Sequence, residues 1–387
     1  MKILFVSASF ETAANGAFHF AQAFWRLNAK PSADVQVTIL TEDVATDWLQ
    51  NNDNPMTSNV LKLTVHVPRG LARLGHLFRN VAYFKAVRRL QKRENFDLIV
   101  FNQIFYGLLS RLLLPQNGKI AGFVHDDHGL QPTRAAHPTL MNYLFYRYFQ
   151  GSLERTAMQK MDFVLTSSEH LRRLIIEKQG ILPQKTKAIP QVLDIQNILF
   201  QPKVWQANSR RVKILFVKTG YVRGGLEDLI RALGLLSHYD FELIVIGPFW
   251  TEAHREIEHW AASFQNILLV LKNLQPQNAV AEAMYATDIL CIPARREALG
   301  LANVEGLARG TSVVSTREGG IVEVLGDGEN GWLAAPNNPL SLAEALRDCI
   351  ETDPSVRLAK SRRARLFVEK NMDSADLSAI LKAVFSI

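Results

Sequence analysis

Glu297 and Glu305 stand eight positions apart in REALGLANVEGLARGTSVVSTREGG, residues 296–320. Glu297 follows the apolar run ILCIP on a predicted loop. Gly300 marks the turn into a predicted helix, and Glu305 falls in that helix's first turns. A helix start offers unpaired N–H groups and the positive end of the dipole, which together hold anions. Carboxylates accept paired O–H donors and so suit sugar hydroxyls. A diphosphate at the helix start with a carboxylate on either side is one reading. The other is an acid favoured by the dipole and a solvated loop charge.

Further segments carry candidate chemistry. In FVKTGYVRGGLEDLIRAL, residues 216–233, a glycine-rich loop between strand and helix lets backbone approach phosphate, and Lys218 and Arg223 add charge for a leaving diphosphate. A solvated turn with two surface cations is the bland alternative. SFETAANGAFHFAQAF, residues 9–24, is a second strand-to-helix loop, with Asn15-Gly16 before the helix. It lacks G-x-G-x-x-G, and no G-x4-G-K-[ST] occurs anywhere, so neither a dinucleotide fingerprint nor a P-loop is expected. In GFVHDDHGLQP, residues 122–132, His125 stands at the carboxyl end of a buried strand, where it could stabilise charge, donate a hydrogen bond or cap the chain. Consecutive residues point in alternate directions and metal sites draw on spaced ligands, so His-Asp-Asp-His predicts no metal site.

EALGLANVE resembles the E-x7-E motif of glycosyltransferase family 4, the retaining, two-lobed GT-B glycosyltransferases. The resemblance continues through EGLARGTSVVST and GGIVEVLGDGENGWLAAP into the terminal helix, and covers the first half more loosely. It implies that Glu297 contacts the donor sugar's hydroxyls and Glu305 the ribose of the nucleotide. Backbone amides around Leu299, Gly300 and Leu301 would face the sugar and diphosphate. Gly16 would lie on the loop beneath the diphosphate, with Asn15 and Asp126 on the acceptor side, and His125 would line the reacting centre. The family usually places an Arg two residues past the strand and a Lys before the glycine opening the helix. Thr219 and Gly224 hold those positions here, with Lys218 and Arg223 each one residue away. Of the family's Asn-Gly-Val-Asp only Asp194 remains, in Gln191-Val192-Leu193-Asp194.

Strands and helices must position these groups. Apolar runs without polar alternation predict strands buried on both faces at Lys2–Ser7, Val35–Thr41, Leu98–Phe101, Lys119–Val124 and Phe163–Thr166. Five more follow at Val212–Val217, Phe241–Ile246, Ile267–Leu271, Ile289–Pro293 and Ser312–Thr316. Helix-length stretches alternate with them, which predicts parallel α/β sheets. KILFVSAS near residue 2 is echoed by KILFVKTG at 213, and 387 residues suit two domains or three. The expected fold is α/β: two Rossmann-like lobes whose parallel sheets face a central cleft. Residues 1–200 would form an acceptor-binding lobe and 201–370 a nucleotide-sugar-binding lobe, with a helix over 371–387 packing back on the first. In LSLAEALRDCI, Asn337, Asn338 or Ser341 is suited to cap the helix.

Composition narrows the partners. Hydrophobic residues make up 48% and charged residues 21%, as in globular proteins. No apolar run is long enough to span a bilayer, and the N-terminus reads as a strand, not a signal peptide. Two cysteines, Cys291 and Cys349, make no disulfide framework or zinc site and suit a cytoplasmic protein. The net charge of +7 is one-sided: residues 1–200 carry 23 Lys and Arg against 15 Asp and Glu, residues 201–387 carry 21 against 22. Residues 68–93 hold eight Lys and Arg, no acid, and interleaved Leu71, Leu74, Leu77, Phe78, Val81 and Phe84. That pattern fits an anionic membrane surface, or a docked helix with a basic face; no recognition motif accompanies it, so nucleic acid is not expected.

The resulting expectation is a cytoplasmic, metal-independent, retaining glycosyltransferase, peripheral on the inner face of the membrane. It needs no cofactor beyond its nucleoside diphosphate sugar donor, and its acceptor is a glycan, lipid-linked or polysaccharide-precursor chain. A sugar-nucleotide epimerase or phosphorylase of the same fold, and a non-catalytic protein that binds nucleotide sugar or a partner, remain as rivals.

Overall fold

The computed structural model describes residues 1–8, 16–27, 35–42, 59–67, 75–115, 118–126, 140–144, 148–149, 151–189, 192–205, 211–247, 251–374 and 377–385. The chain forms two compact units, Met1–Leu193 with Ser374–Ile387, and Asp194–Asp373. Among the described residues the first unit is built on seven parallel strands: β1 (Lys2–Ser7), β2 (Gln36–Thr41), β3 (Val60–Lys62), β4 (Leu98–Phe101), β5 (Lys119–Val124), β6 (Phe163–Thr166) and β7 (Thr186–Ala188). Their order is β3-β2-β1-β4-β5-β6-β7. The second unit has six: β8 (Val212–Val217), β9 (Phe241–Ile246), β10 (Ile267–Lys272), β11 (Ile289–Ile292), β12 (Ser312–Thr316) and β13 (Trp332–Ala334), in the order β10-β9-β8-β11-β12-β13.

All ten strands expected from apolar runs are present, with ends moved by a residue at β2, β10 and β11. The three that sequence reading missed, β3, β7 and β13, are three residues long and lie at sheet edges. An edge strand buries too little to need a continuous apolar run, and three residues show no period. In each unit the strand order reverses beside the first strand, between β1 and β4 and between β8 and β11. Open α/β sheets bind ligands beyond the carboxyl ends of strands at such a reversal.

Aromatic residues fill the first core. Phe5 of β1 stacks on Phe24 with centroids 4.3 Å apart, and Phe20 meets Phe123 of β5 at 4.2 Å. The chain crosses to the second unit after Leu193 and returns at Ser374, whose N–H donates to the Leu193 carbonyl at 2.8 Å. Residues 195–198 are held to the second unit by Arg365, which donates to the carbonyls of Ile195 and Ile198. The last helix, Leu377–Phe385, returns Leu377, Leu381 and Phe385 to the first unit's core, with the Phe385 ring edge-on to Phe163 at 5.0 Å. Asn338 caps the helix Pro339–Glu351, its side chain accepting from the Ser341 N–H at 3.1 Å.

Leu381 is fully buried. Leu381→Ala should destabilise the first unit by about 2–5 kcal/mol, the usual span for a buried leucine. Urea unfolding followed by near-UV circular dichroism measures it, and an unmoved midpoint would mean that this helix is not part of the core.

Candidate active site

β8 and β11 pair directly, Ile289 with Ile214 and Leu290 with Leu215, so the loops that follow them emerge side by side. Backbone packing locks the two loops together. Gly225, at φ +75°, lies so close to Pro293 that a Cβ would sit 2.1 Å from its carbonyl oxygen. The Arg295 N–H donates to the Arg223 carbonyl at 2.8 Å, and Arg223 Nε donates to the Arg296 carbonyl at 2.9 Å. The Arg295 guanidinium forks onto Asp228 at 2.9 and 3.0 Å, in the first turn of the helix Leu226–Leu235. Bidentate pairs of this kind fix direction as well as distance.

Within this frame Lys218, just past β8, donates from Nζ to Glu297 Oε2. Glu297 Oε1 accepts from the Ala298 N–H at 3.1 Å. Burial alone would raise this carboxyl, but the Lys218 ammonium, with Arg223 and the Ala298 N–H, holds it below its ordinary value. From the other side Gly319 packs so tightly that a Cβ would lie 1.7 Å from the Glu297 carbonyl oxygen. The Gly320 N–H donates to that same oxygen at 3.3 Å.

Gly300, at φ +86°, turns the chain into the helix Leu301–Arg309, and Gly310, at φ +84°, stops it. Leu299 is buried, Gly300 and Leu301 half-buried. The Asn303 and Val304 N–H groups donate to the Gly300 carbonyl at 2.9 and 3.3 Å, which leaves the N–H groups of Leu301 and Ala302 to acceptors outside the helix. Glu305 is buried on it, with Gln277 Nε2 donating to Oε1 at 3.5 Å. Burial pushes its carboxyl above the ordinary value, and Arg309 and Gln277 offset part of the rise. Glu297 and Glu305 therefore have opposite electrostatic settings: one paired to a cation, the other desolvated.

In the first unit His125 follows β5 directly, and its Nε2 donates to Asn102 Oδ1 at 2.7 Å. Asn102, just past β4, donates from Nδ2 to Ser7 Oγ at 2.9 Å. The imidazole stacks on Phe123 at 4.8 Å and meets Phe20 edge-on at 6.2 Å. Burial lowers its pKa to about 4, against smaller opposing effects from Asp126 and Asn102, so the ring is neutral near pH 7. Gly16 begins the helix Gly16–Arg26 that carries Phe20. Asp126 is exposed; burial and the Asp126 charge push Glu154 up to about 7. Asn15, Asp127, His128 and Gln191 lie outside the described residues. Among the described residues no three His, Cys, Asp or Glu gather as a metal ion would require.

Lys218, Arg223, Glu297 and Gly300 thus meet in one neighbourhood. Glu305 turns to Gln277, while His125 and Gly16 belong to the other unit. Sequence reading missed Ser7, Asn102, Asp228, Arg295, Gly319 and Gly320. The signal for Ser7 and Asn102 was available: each is the first polar residue after a buried run.

The unfolded chain takes up a proton at His125 near the ordinary 6.5, before the folded one does at about 4. The stability from a neutral His125 is complete above pH 6.5 and drains as pH falls towards 4. Thermal midpoints should therefore drop more steeply over that window for the wild type than for His125→Gln. Parallel slopes would mean a solvated imidazole.

Residues 27–197 match the family model Glycosyltransferase Family 4, and residues 197–366 match Glycosyl transferases group 1. An uncharacterized glycosyltransferase of Methanocaldococcus jannaschii is 32% identical over 139 residues, a stretch covering 36% of this chain and 38% of that one. Sucrose-phosphate synthase from Thermosynechococcus elongatus is similar in structure at a TM-score of 0.75 and 17% identity, covering 100% of this chain and 99% of that chain. HepE from Anabaena, solved in complex with UDP, is similar at 0.73 and 18%, covering 100% of both chains.

Proposed function

The chain belongs to the GT-B glycosyltransferases resembling family 4, and from that premise we propose that it moves a sugar from a nucleoside diphosphate sugar to an acceptor hydroxyl with retention at the anomeric carbon. The observation that carries the proposal is the Lys218–Glu297 pair beside the start of the helix Leu301–Arg309, with Glu305 buried on that helix. Cation, carboxylate and helix-start amides together match the chemistry of a diphosphate joined to a sugar.

Breaking the anomeric C–O bond develops positive charge on carbon and negative charge on the departing diphosphate. Lys218, Arg223 and the helix start beyond Gly300 stabilise the second charge, with no call on a metal ion. Glu297 takes the sugar hydroxyls and Glu305 the ribose. The amides of Leu299, Gly300 and Leu301 face the sugar and diphosphate. Retention follows when the acceptor attacks the face the diphosphate leaves, the leaving phosphate accepting its proton. His125, neutral and held by Asn102, lines the reacting centre without adding charge there. Gly16 lies beneath the diphosphate, and Asn15 and Asp126 serve the acceptor side.

The acceptor proposed is a membrane-anchored glycan or polysaccharide precursor, met by a cytoplasmic protein peripheral to the inner face of the membrane. The support is the helix Gly75–Glu94, which buries Tyr83, Val87 and Leu90 and exposes Leu77, Val81, Lys85, Arg88 and Lys92 at helical spacing. Residues 68–74 of the basic segment lie outside the described residues. Among the described residues no helix is long and apolar enough to cross a membrane.

A thermal-shift panel of nucleoside diphosphates and their sugar conjugates tests the donor site. Glu305→Ala should weaken the bound diphosphate about 10- to 100-fold, the range for a hydrogen-bonded charged group. His125→Ala should cut turnover by about tenfold or more while changing donor affinity less. Full activity in both variants would overturn the assignment. At low salt the protein should sediment with phosphatidylglycerol vesicles, and replacing Lys85, Arg88, Arg89 and Lys92 with Ser should release it; no sedimentation of the wild type removes the membrane reading.

A further inference from the structure

Gly224 is buried and its φ is not positive, so backbone freedom does not account for a glycine there. Space does. A Cβ at 224 would lie 2.6 Å from Phe216 Cζ, 2.8 Å from Lys218 Cδ and 3.2 Å from the Gly220 carbonyl oxygen. The loop beneath cannot withdraw easily: the Gly224 N–H donates to the Gly220 carbonyl at 2.8 Å, and Gly225 is seated against Pro293. The Phe216 ring and the stem of Lys218 together fill the gap that a side chain at 224 would take. Its ammonium ends on Glu297, in a pair whose side chains are only 22% and 18% exposed.

The proposed function asks both members of this pair to act on the donor, Lys218 on phosphate and Glu297 on hydroxyls. A phosphate is the stronger charged acceptor for an ammonium, and a carboxylate left beside it needs new donors, since an uncompensated half-buried charge is costly. Sugar hydroxyls are such donors. Glu297 keeps one hydrogen bond during the change, from the Ala298 N–H.

We propose that Lys218 and Glu297 are an exchange pair: the donor diphosphate takes Lys218 from Glu297, the released carboxylate turns to the sugar hydroxyls, and Gly224 is the residue that gives Lys218 its path. This rests on the glycosyltransferase reading and deepens it. A nucleoside diphosphate alone breaks the pair and offers Glu297 nothing in return. The complete donor breaks it and supplies hydroxyls. The site thus prefers donor to spent nucleotide, which aids release of the product.

The experiment is calorimetric titration with UDP, GDP and ADP and their glucose conjugates, carrying forward whichever base the wild type binds. The wild type should bind the sugar conjugate more tightly than the diphosphate. Glu297→Gln should strengthen diphosphate binding about tenfold, within the range of coupling between contacting groups, and abolish the preference for the conjugate. In a Lys218→Ala background the same Glu297→Gln change should give no gain. Gly224→Ala should weaken diphosphate binding as Lys218→Ala does, with melting curves reporting whether it folds. A gain from Glu297→Gln that persists without Lys218 would reduce the effect to simple repulsion and overturn the exchange. So would no gain at all, while diphosphate binding by the wild type would leave the glycosyltransferase reading standing. If the wild type binds none of these compounds, both fall together.

Discussion

An ammonium and a carboxylate from residues 79 positions apart meet at the carboxyl edge of the second sheet, and the surrounding architecture exists to make that meeting reproducible. A lysine on a flexible stem and a glutamate on a loop would ordinarily sample many arrangements, and an exposed pair of this kind contributes little. Here the flexibility is removed before the charges meet. β8 and β11 are neighbours, Gly225 is pressed on Pro293, Gly319 on the Glu297 backbone, and Arg295 forks onto Asp228. Each contact fixes backbone, so that little side-chain freedom is left to lose when the pair forms.

The first unit reaches a comparable result with neutral groups. Ser7 is the last residue of β1, and Asn102 and His125 are the first past β4 and β5, three neighbouring strands. Strands buried on both faces leave polar side chains nowhere to go but the ends, where they must satisfy one another. The chain Ser7–Asn102–His125 does this without a charge, and burial against Phe20 and Phe123 keeps the imidazole uncharged.

Much of this was readable from residues alone. β1, β4, β5, β6, β8, β9 and β12 fall where continuous apolar runs end against polar residues, because a strand buried on both faces writes its limits into local sequence. Gly300 opens a helix through its left-handed conformation, which is likewise local. The E-x7-E spacing put both glutamates on the right loop and helix. The edge strands β3, β7 and β13 escaped because they are defined by the neighbour they pair with, not by their own composition.

What sequence by itself determined was the set of buried strands, the helix start at Gly300 and the kinds of groups at the strand ends, all properties of residues and their near neighbours. Tertiary structure decided who meets whom. Lys218 selects Glu297, Arg295 selects Asp228 and His125 selects Asn102. Those choices depend on strand order and on gaps such as the one over Gly224, where the absence of a side chain leaves a path for another residue's stem. A one-dimensional pattern records which residues are apolar, charged or small; which of them share a volume is set only when distant segments pack and exclude every other arrangement.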